Sequence, residues 1–169
     1  MITQWKASLA KVVLVIGLFS LISACGFHLR GAQNVDDSLR QVTLTGNNIS
    51  SELLHSIRQN MKFNGIEETA GAPYQIQILQ NRYKRRAATL SSNSDVDEYE
   101  LSLEVSMLVA DQQGTPLTSD INIQHERIYD YDKNAAAASS EQESLLRREL
   151  HDSVAQTIIR RYLAVKPKQ

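Results

Sequence analysis

Between Glu98 and Val109 the chain alternates with almost no break: Tyr99, Leu101, Leu103, Val105, Met107 and Val109 fall on one parity, with Glu98, Glu100, Ser102, Glu104 and Ser106 on the other. Successive strand side chains point to opposite faces, so this pattern predicts an antiparallel strand with one covered and one wet face. Such a sheet needs a packing layer on one side only. Before it, the stretch from Tyr74 to about Leu90 also reads as extended, but Ile76 and Ile78 share one face while Leu79 and Tyr83 share the other. That uneven parity predicts a bulge or a strand buried on both sides. The turn cluster Ser91-Ser92-Asn93-Ser94-Asp95 joins the two strands into a hairpin, and Asp111 to Pro116 forms the next loop. Ile121, Ile123 and Tyr129 mark a further strand, and Gln41-Val42-Thr43-Leu44-Thr45 a short first one.

The covering layer is helical. Ser50, Ser51 and Glu52 open a helix in which Leu53, Leu54, Ile57 and Met61 recur at helical spacing, closed by Gly65 after Asn64. Leu146, Leu150, Val154, Ile158 and Tyr162 repeat every four residues in a longer helix that ends before Pro167. Ser140, with Glu143 three residues later, matches a capping box, so the helix is expected to start there, after a mobile alanine-rich loop over 134–139. The order β, α, β, β, β, α predicts an α+β two-layer sandwich: a mostly antiparallel four-stranded sheet with two helices packed on one face.

The first residues have a different character. Lys6 and Lys11 precede an apolar run from about Val12 to Leu21, followed by Ile22, Ser23, Ala24 and Cys25, the chain's one cysteine. These are the parts of a secretory signal, and the run falls short of the ~20 apolar residues a membrane span needs. The segment Leu21-Ile22-Ser23-Ala24-Cys25 resembles a bacterial lipoprotein lipobox. The resemblance implies that the thiol of Cys25 receives a diacylglycerol, that the leader is cut before it and that the new amine is acylated. Several acyl chains anchor firmly where one does not. Gly26 follows, not the aspartate that tends to retain such proteins in the inner membrane, which implies the outer membrane. The expected layout is therefore a cleaved signal peptide over 1–24, a lipidated tether over 25–40, a single α+β domain over 41–165 and a short tail over 166–169.

Of 169 residues roughly 145 remain after cleavage, a single-domain size. Loss of Lys6 and Lys11 leaves 16 basic residues against 19 acidic, a balance that does not suggest a nucleic-acid partner. With Cys25 lipidated, no thiol is left for a disulfide or a cysteine metal site. His28, His55, His125 and His151 lack metal-ligand spacing, and no G-x-S-x-G, P-loop or G-x-G-x-x-G occurs. Neither a metal, a cofactor nor an enzymatic activity is expected. One polar cluster stands out: Arg82, Lys84, Arg85 and Arg86 in a strand, with Arg127 and Lys133 later. Guanidinium forks match lipid phosphate oxygens; equally, in a hairpin Arg82, Lys84 and Arg86 share a face with Glu98, Glu100 and Glu104 and form cross-strand pairs. Both readings stand.

Cys25-Gly26-Phe27-His28-Leu29-Arg30-Gly31 is similar to the mature start, C-G-[FW]-x-L-R, of the LptE family of lipopolysaccharide-assembly lipoproteins, and the order of elements agrees over nearly all the mature chain. The resemblance implies a protein that is not an enzyme. It implies a plug in the lumen of an LptD-type outer-membrane β-barrel, a 1:1 partner that helps the barrel assemble and binds lipopolysaccharide on its way to the outer leaflet. Family members can carry basic residues in the turn after the basic strand and in the loop before the last helix, where this chain has Ser91 to Ser94 and alanine and serine from Ala135 to Ser140. Those lipid contacts do not transfer, so the candidate lipopolysaccharide site is Arg82, Lys84, Arg85, Arg86, Arg127 and Lys133. The alternative is a periplasm-facing carrier of lipid or lipoproteins, which requires an enclosed apolar cavity for acyl chains.

Overall fold

The computed structural model describes residues 35–165, which lie within the second of two units into which the chain divides, Asn34–Gln169. The expected signal peptide, Cys25, most of the expected tether and the expected tail lie outside the described residues. Five strands and two helices follow in order: β1 (Gln41–Gly46), α1 (Ser51–Phe63), β2 (Glu67–Glu68), β3 (Tyr74–Leu90), β4 (Val96–Asp111), β5 (Ile121–Asp130) and α2 (Ala136–Leu163). They build one sheet of order β2-β1-β3-β4-β5. β1 is parallel to both β2 and β3, while β3–β4 and β4–β5 are antiparallel. The α+β two-layer class is as expected. The added strand β2 has only two residues, Glu67 and Glu68, too short to show periodicity, so the sequence pattern reveals four strands and the described residues form five.

α1 has clear chemical limits. Ser50 Oγ accepts from the amide of Leu53 at 3.3 Å, as an N-cap should. At the other end Gly65 sits at φ +68°, its amide bonds to Lys62 O and that of Ile66 to Met61 O. That is a Schellman closure, with Ile66 and Met61 both buried beneath it. α2 starts at Ala136, earlier than the capping box indicated, and Ala135 provides no side-chain cap. Two corrections follow. The alanine run is helix, not a mobile loop, because alanine has the highest helix propensity, and Ser140 lies within the helix while Glu143 is used elsewhere.

Leu53, Ile57 and Met61 of α1 and Leu150, Val154, Ile158 and Tyr162 of α2 pack on Ile76, Ile78, Leu101, Leu103, Val105, Met107 and Val109 of the sheet. Val35 and Leu39, which fall in the tether expected over 25–40, join this core, and the Tyr162 hydroxyl donates to Leu39 O at 3.0 Å. The helices touch in step, Glu52 with Arg147 and Ser56 with Asp152, so they run in the same direction. α2 is 28 residues and α1 is 13, and at 1.5 Å per residue α2 overhangs the start of α1 by several turns. Beneath that overhang lies the far half of the β3–β4 hairpin. None of the described helices is long and apolar enough to cross a membrane.

Candidate functional site

The hairpin owes its two faces to one irregularity. Ile78 pairs with Met107, but the register then slips, so that Gln80 pairs with Ser106 and Asn81 with Val105. Leu79 is the extra residue and is 45% exposed. A one-residue slip exchanges the faces of everything after it. Tyr83 therefore lies opposite Leu103 and Arg85 opposite Leu101, on the helix side, while Arg82, Lys84 and Arg86 lie opposite Glu104, Ser102 and Glu100 on the open face. Of the two expectations for this strand, the bulge is the one found.

On the open face the cations meet carboxylates. Arg86 forms a two-pronged pair with Glu100, Nε to Oε1 and Nη2 to Oε2, both 2.7 Å. Glu100 is buried although no layer covers it, a position a carboxylate tolerates when a bidentate guanidinium satisfies it. Lys84 Nζ lies 2.7 Å from Glu104, and Arg82 reaches the same carboxylate at 3.8 Å. The hydrogen bond from Lys84, then its charge and that of Arg82, hold the Glu104 carboxyl below its ordinary value. Thr89 Oγ1 donates to Glu98. The cations of these pairs are largely exposed, so each pair contributes ~0.2 to 1 kcal/mol. Arg82, with the longest contact, is the least committed.

Arg85 faces the helices. Its guanidinium carbon sits 3.4 Å from the Tyr99 ring centre, Nε and Nη2 donate to Tyr129 Oη at 3.2 and 3.1 Å, and Nε lies 2.9 Å from Glu143 of α2. Tyr129 Oη in turn donates to Glu143. Burial, the largest influence on Arg85, disfavours its charge, but Tyr129 and Glu143 outweigh it and hold the guanidinium ionised. Burial and then the Glu143 bond push the Tyr129 phenol up to about 12. Arg127 bridges β5 to α2 through Ser153 Oγ at 3.1 Å, and Lys133 pairs with Asp95 of the hairpin turn at 2.6 Å. The six candidate cations thus occupy four places, and Arg82, Lys84 and Arg86 alone share a surface. Sequence reasoning missed Tyr99, Tyr129 and Glu143 around Arg85, because only the slip at Leu79 turns Arg85 toward them.

Fold and site together define a two-layer α+β scaffold domain with a charge-laddered hairpin projecting past its shorter helix. A family model described as "LptE: Lipopolysaccharide-assembly" matches residues 34–162. The chain belongs to the LptE family. An LPS-assembly lipoprotein LptE of Pectobacterium atrosepticum is 25% identical over 163 residues, 92% of this chain and 86% of that protein. Among solved structures, a minor lipoprotein of Acinetobacter baumannii superposes with TM-score 0.62 at 25% identity, over 75% of this chain and 92% of that one. A lipoprotein B of Nitrosomonas europaea does so with TM-score 0.69 at 23% identity, over 82% and 91%, a likeness of fold. Membership places the chain among the lipopolysaccharide-assembly lipoproteins, as the motif at Cys25 implied.

Proposed function

We propose that this protein is an outer-membrane lipoprotein, anchored through acylated Cys25, that plugs an LptD-type β-barrel in a 1:1 complex, assists the barrel's assembly and binds lipopolysaccharide bound for the outer leaflet. Its work is binding and support, without catalysis. The observation that carries the reading is the open sheet face. It is largely polar, apart from exposed apolar side chains such as Ile128, and on the hairpin Arg86 pairs with Glu100 while Lys84 and Arg82 share Glu104, which suits the polar lumen of a large barrel. A filled core favours a plug over a lipid carrier: Leu101, Leu103, Met107, Leu150 and Ile158 are fully buried. The depression of about 600 Å³ between α1 and α2 is open and lined by Glu52, His55, Arg147, Arg148 and Asp152, among others, chemistry unsuited to acyl chains. Within the candidate lipid site, Arg82, Lys84 and Arg86 are the cations that would meet lipid phosphates, whereas Arg85, Arg127 and Lys133 are held in contacts that tie elements together.

Affinity capture of the full-length protein from a detergent extract of outer membranes, with identification of what co-purifies, tests the partnership. A stoichiometric β-barrel is expected, and recovery of the protein alone or with soluble clients overturns the plug. The lipid contact is tested by exchanging charges, Arg86→Glu with Glu100→Arg and Lys84→Glu with Glu104→Lys, together with Arg82→Gln because Arg82 also faces Glu104; this keeps the two close pairs and moves their cations to β4. Lipopolysaccharide binding should fall at unchanged stability. Unchanged binding would show that these cations serve the sheet alone.

A further inference from the structure

β3 is paired with β4 along nearly its whole length, but on its other side β1 reaches it only from Tyr74 to Ile78. Beyond that, among the described residues, the outer edge of β3 has no strand neighbour. Alternate residues of such an edge aim amide and carbonyl groups outward, and unprotected edges recruit further strands. The start of the free edge is closed: Asn81 Nδ2 donates to Asn48 O at 2.7 Å and Asn81 Oδ1 accepts from the Ser50 amide at 3.4 Å, tying the β1–α1 connection across it. The far end is irregular, with register slips between Ala87 and Leu90. This leaves Arg82 to Ala87 as a regular, open stretch.

The charge of that stretch selects its occupant. From Gln80 to Leu90 the strand has four cations and no carboxylate; the acids that pair with them stand behind the edge, Glu100 and Glu104 on β4 and Glu143 on α2. Arg82 and Arg86 remain 53% and 66% exposed. A second copy of this strand laid alongside would oppose cation to cation, which destabilises a pair. A strand with carboxylates at alternate positions would place each beside Arg82, Lys84 or Arg86, from the side opposite Glu100 and Glu104.

We infer that the Arg82–Ala87 edge of β3 is a strand-addition site for an extended, acidic segment of a partner protein. Backbone hydrogen bonds give the attachment, and the cationic row on the open face rejects like strands and admits acidic ones. This inference stands apart from the lipid reading, since it requires outward amides where lipid phosphates require only the side chains.

The full-length lipoprotein in detergent, mixed with a capped heptapeptide Thr-Glu-Val-Glu-Val-Glu-Thr, tests it by amide exchange and by fluorescence titration. Exchange should slow at alternate amides between Arg82 and Ala87. The same peptide N-methylated on the amides of one edge keeps its charges but loses that edge's hydrogen bonds, and should bind about tenfold more weakly or worse; so should the lysine version. Arg82→Gln with Arg86→Gln, which leaves Lys84 and Glu104 paired, should weaken the acidic peptide while far-ultraviolet dichroism stays unchanged. Equal binding of the N-methylated peptide would reduce the effect to charge attraction and overturn the inference. Protection appearing on β5 instead, or no binding, would do the same. Excess inorganic phosphate should not release the acidic peptide; release would assign the cations to anion binding alone.

Discussion

Replacing Leu103 by alanine tests the packing on which the two-faced sheet rests. Leu103 is fully buried on β4, the middle strand of the far half, between Tyr83 of β3 and His125 of β5 and facing the helices. The change removes three carbon groups at ~0.8 kcal/mol each, or roughly 2.4 kcal/mol, and leaves a cavity that adds ~24 cal/mol per Å³. Strands on both sides and α2 above limit collapse, so a total of about 3 to 4 kcal/mol is expected, within the ~2 to 5 seen for such deletions. One residue along, Glu104→Gln gives up the contacts to Lys84 and Arg82, whose side chains are 43% and 53% exposed, and should cost ~0.2 to 1 kcal/mol. Glu100→Ala should fall between, about 1 kcal/mol, because Arg86 loses both hydrogen bonds yet is exposed enough to be rehydrated. In urea, with a slope of ~2 kcal/mol per M, Leu103→Ala should lower the midpoint by roughly 1.5 to 2 M and Glu104→Gln by about 0.5 M or less. Similar midpoints for the two variants would refute the assignment of faces.

Three further outcomes are expected. Glu143→Gln and Arg85→Gln, singly and together, should show a coupling of about 1 kcal/mol and faster amide exchange over the first turns of α2, with Leu150 to Tyr162 unaffected. Tyr129, raised to about 12 by burial and its bond to Glu143, favours the folded state fully below the ordinary tyrosine pKa near 10; that contribution is lost as pH rises from 10 toward 12. Burial also raises Tyr83 and Tyr162, so absorbance titration should show several late-ionising phenols, one fewer in Tyr129→Phe. Mass spectrometry of the membrane-extracted protein should find Cys25 at the mature N-terminus with its acyl chains, and an intact leader or a bare thiol would contradict the proposed anchorage.

The parts of the fold visible in the sequence are those set by local chemistry. The parity of β4 was legible because one covered face repeats every second residue, and α1 because Ser50 and Gly65 mark its ends. α2 was legible from Leu150 to Tyr162, where it packs on the sheet. Its start was not: Ser140 and Glu143 satisfy a local capping pattern, but the helix continues back through alanines that need no cap to be helical, and Glu143 is held by Arg85 and Tyr129, partners remote in sequence. β2 escaped notice because two glutamates have no apolar pattern; parallel pairing with Gln41 and Val42 alone makes them a strand. The candidate cations were legible as a group by composition, whereas their separation into distinct places depends on register and long-range pairing.

That register rests on Leu79. Without the extra residue, the faces of β3 after Ile78 would be exchanged: Arg82, Lys84 and Arg86 would point beneath α2 against Leu103 and its neighbours, and Tyr83 would lie in the open. Burying three cations on an apolar surface costs far more than one exposed leucine. The slip thus sends the charged parity outward, where Glu100 and Glu104 meet it, and sends one cation, Arg85, inward. There it is matched by Glu143, Tyr129 and the face of Tyr99, which fastens the overhanging start of α2 to the hairpin. A single unpaired residue thereby sets two things together: an open face on which the cations of β3 meet the carboxylates of β4, and a firm support for the helix that extends above it. Both are properties that the proposed plug would require, since a plug must hold its own shape while presenting a polar surface to the wall around it.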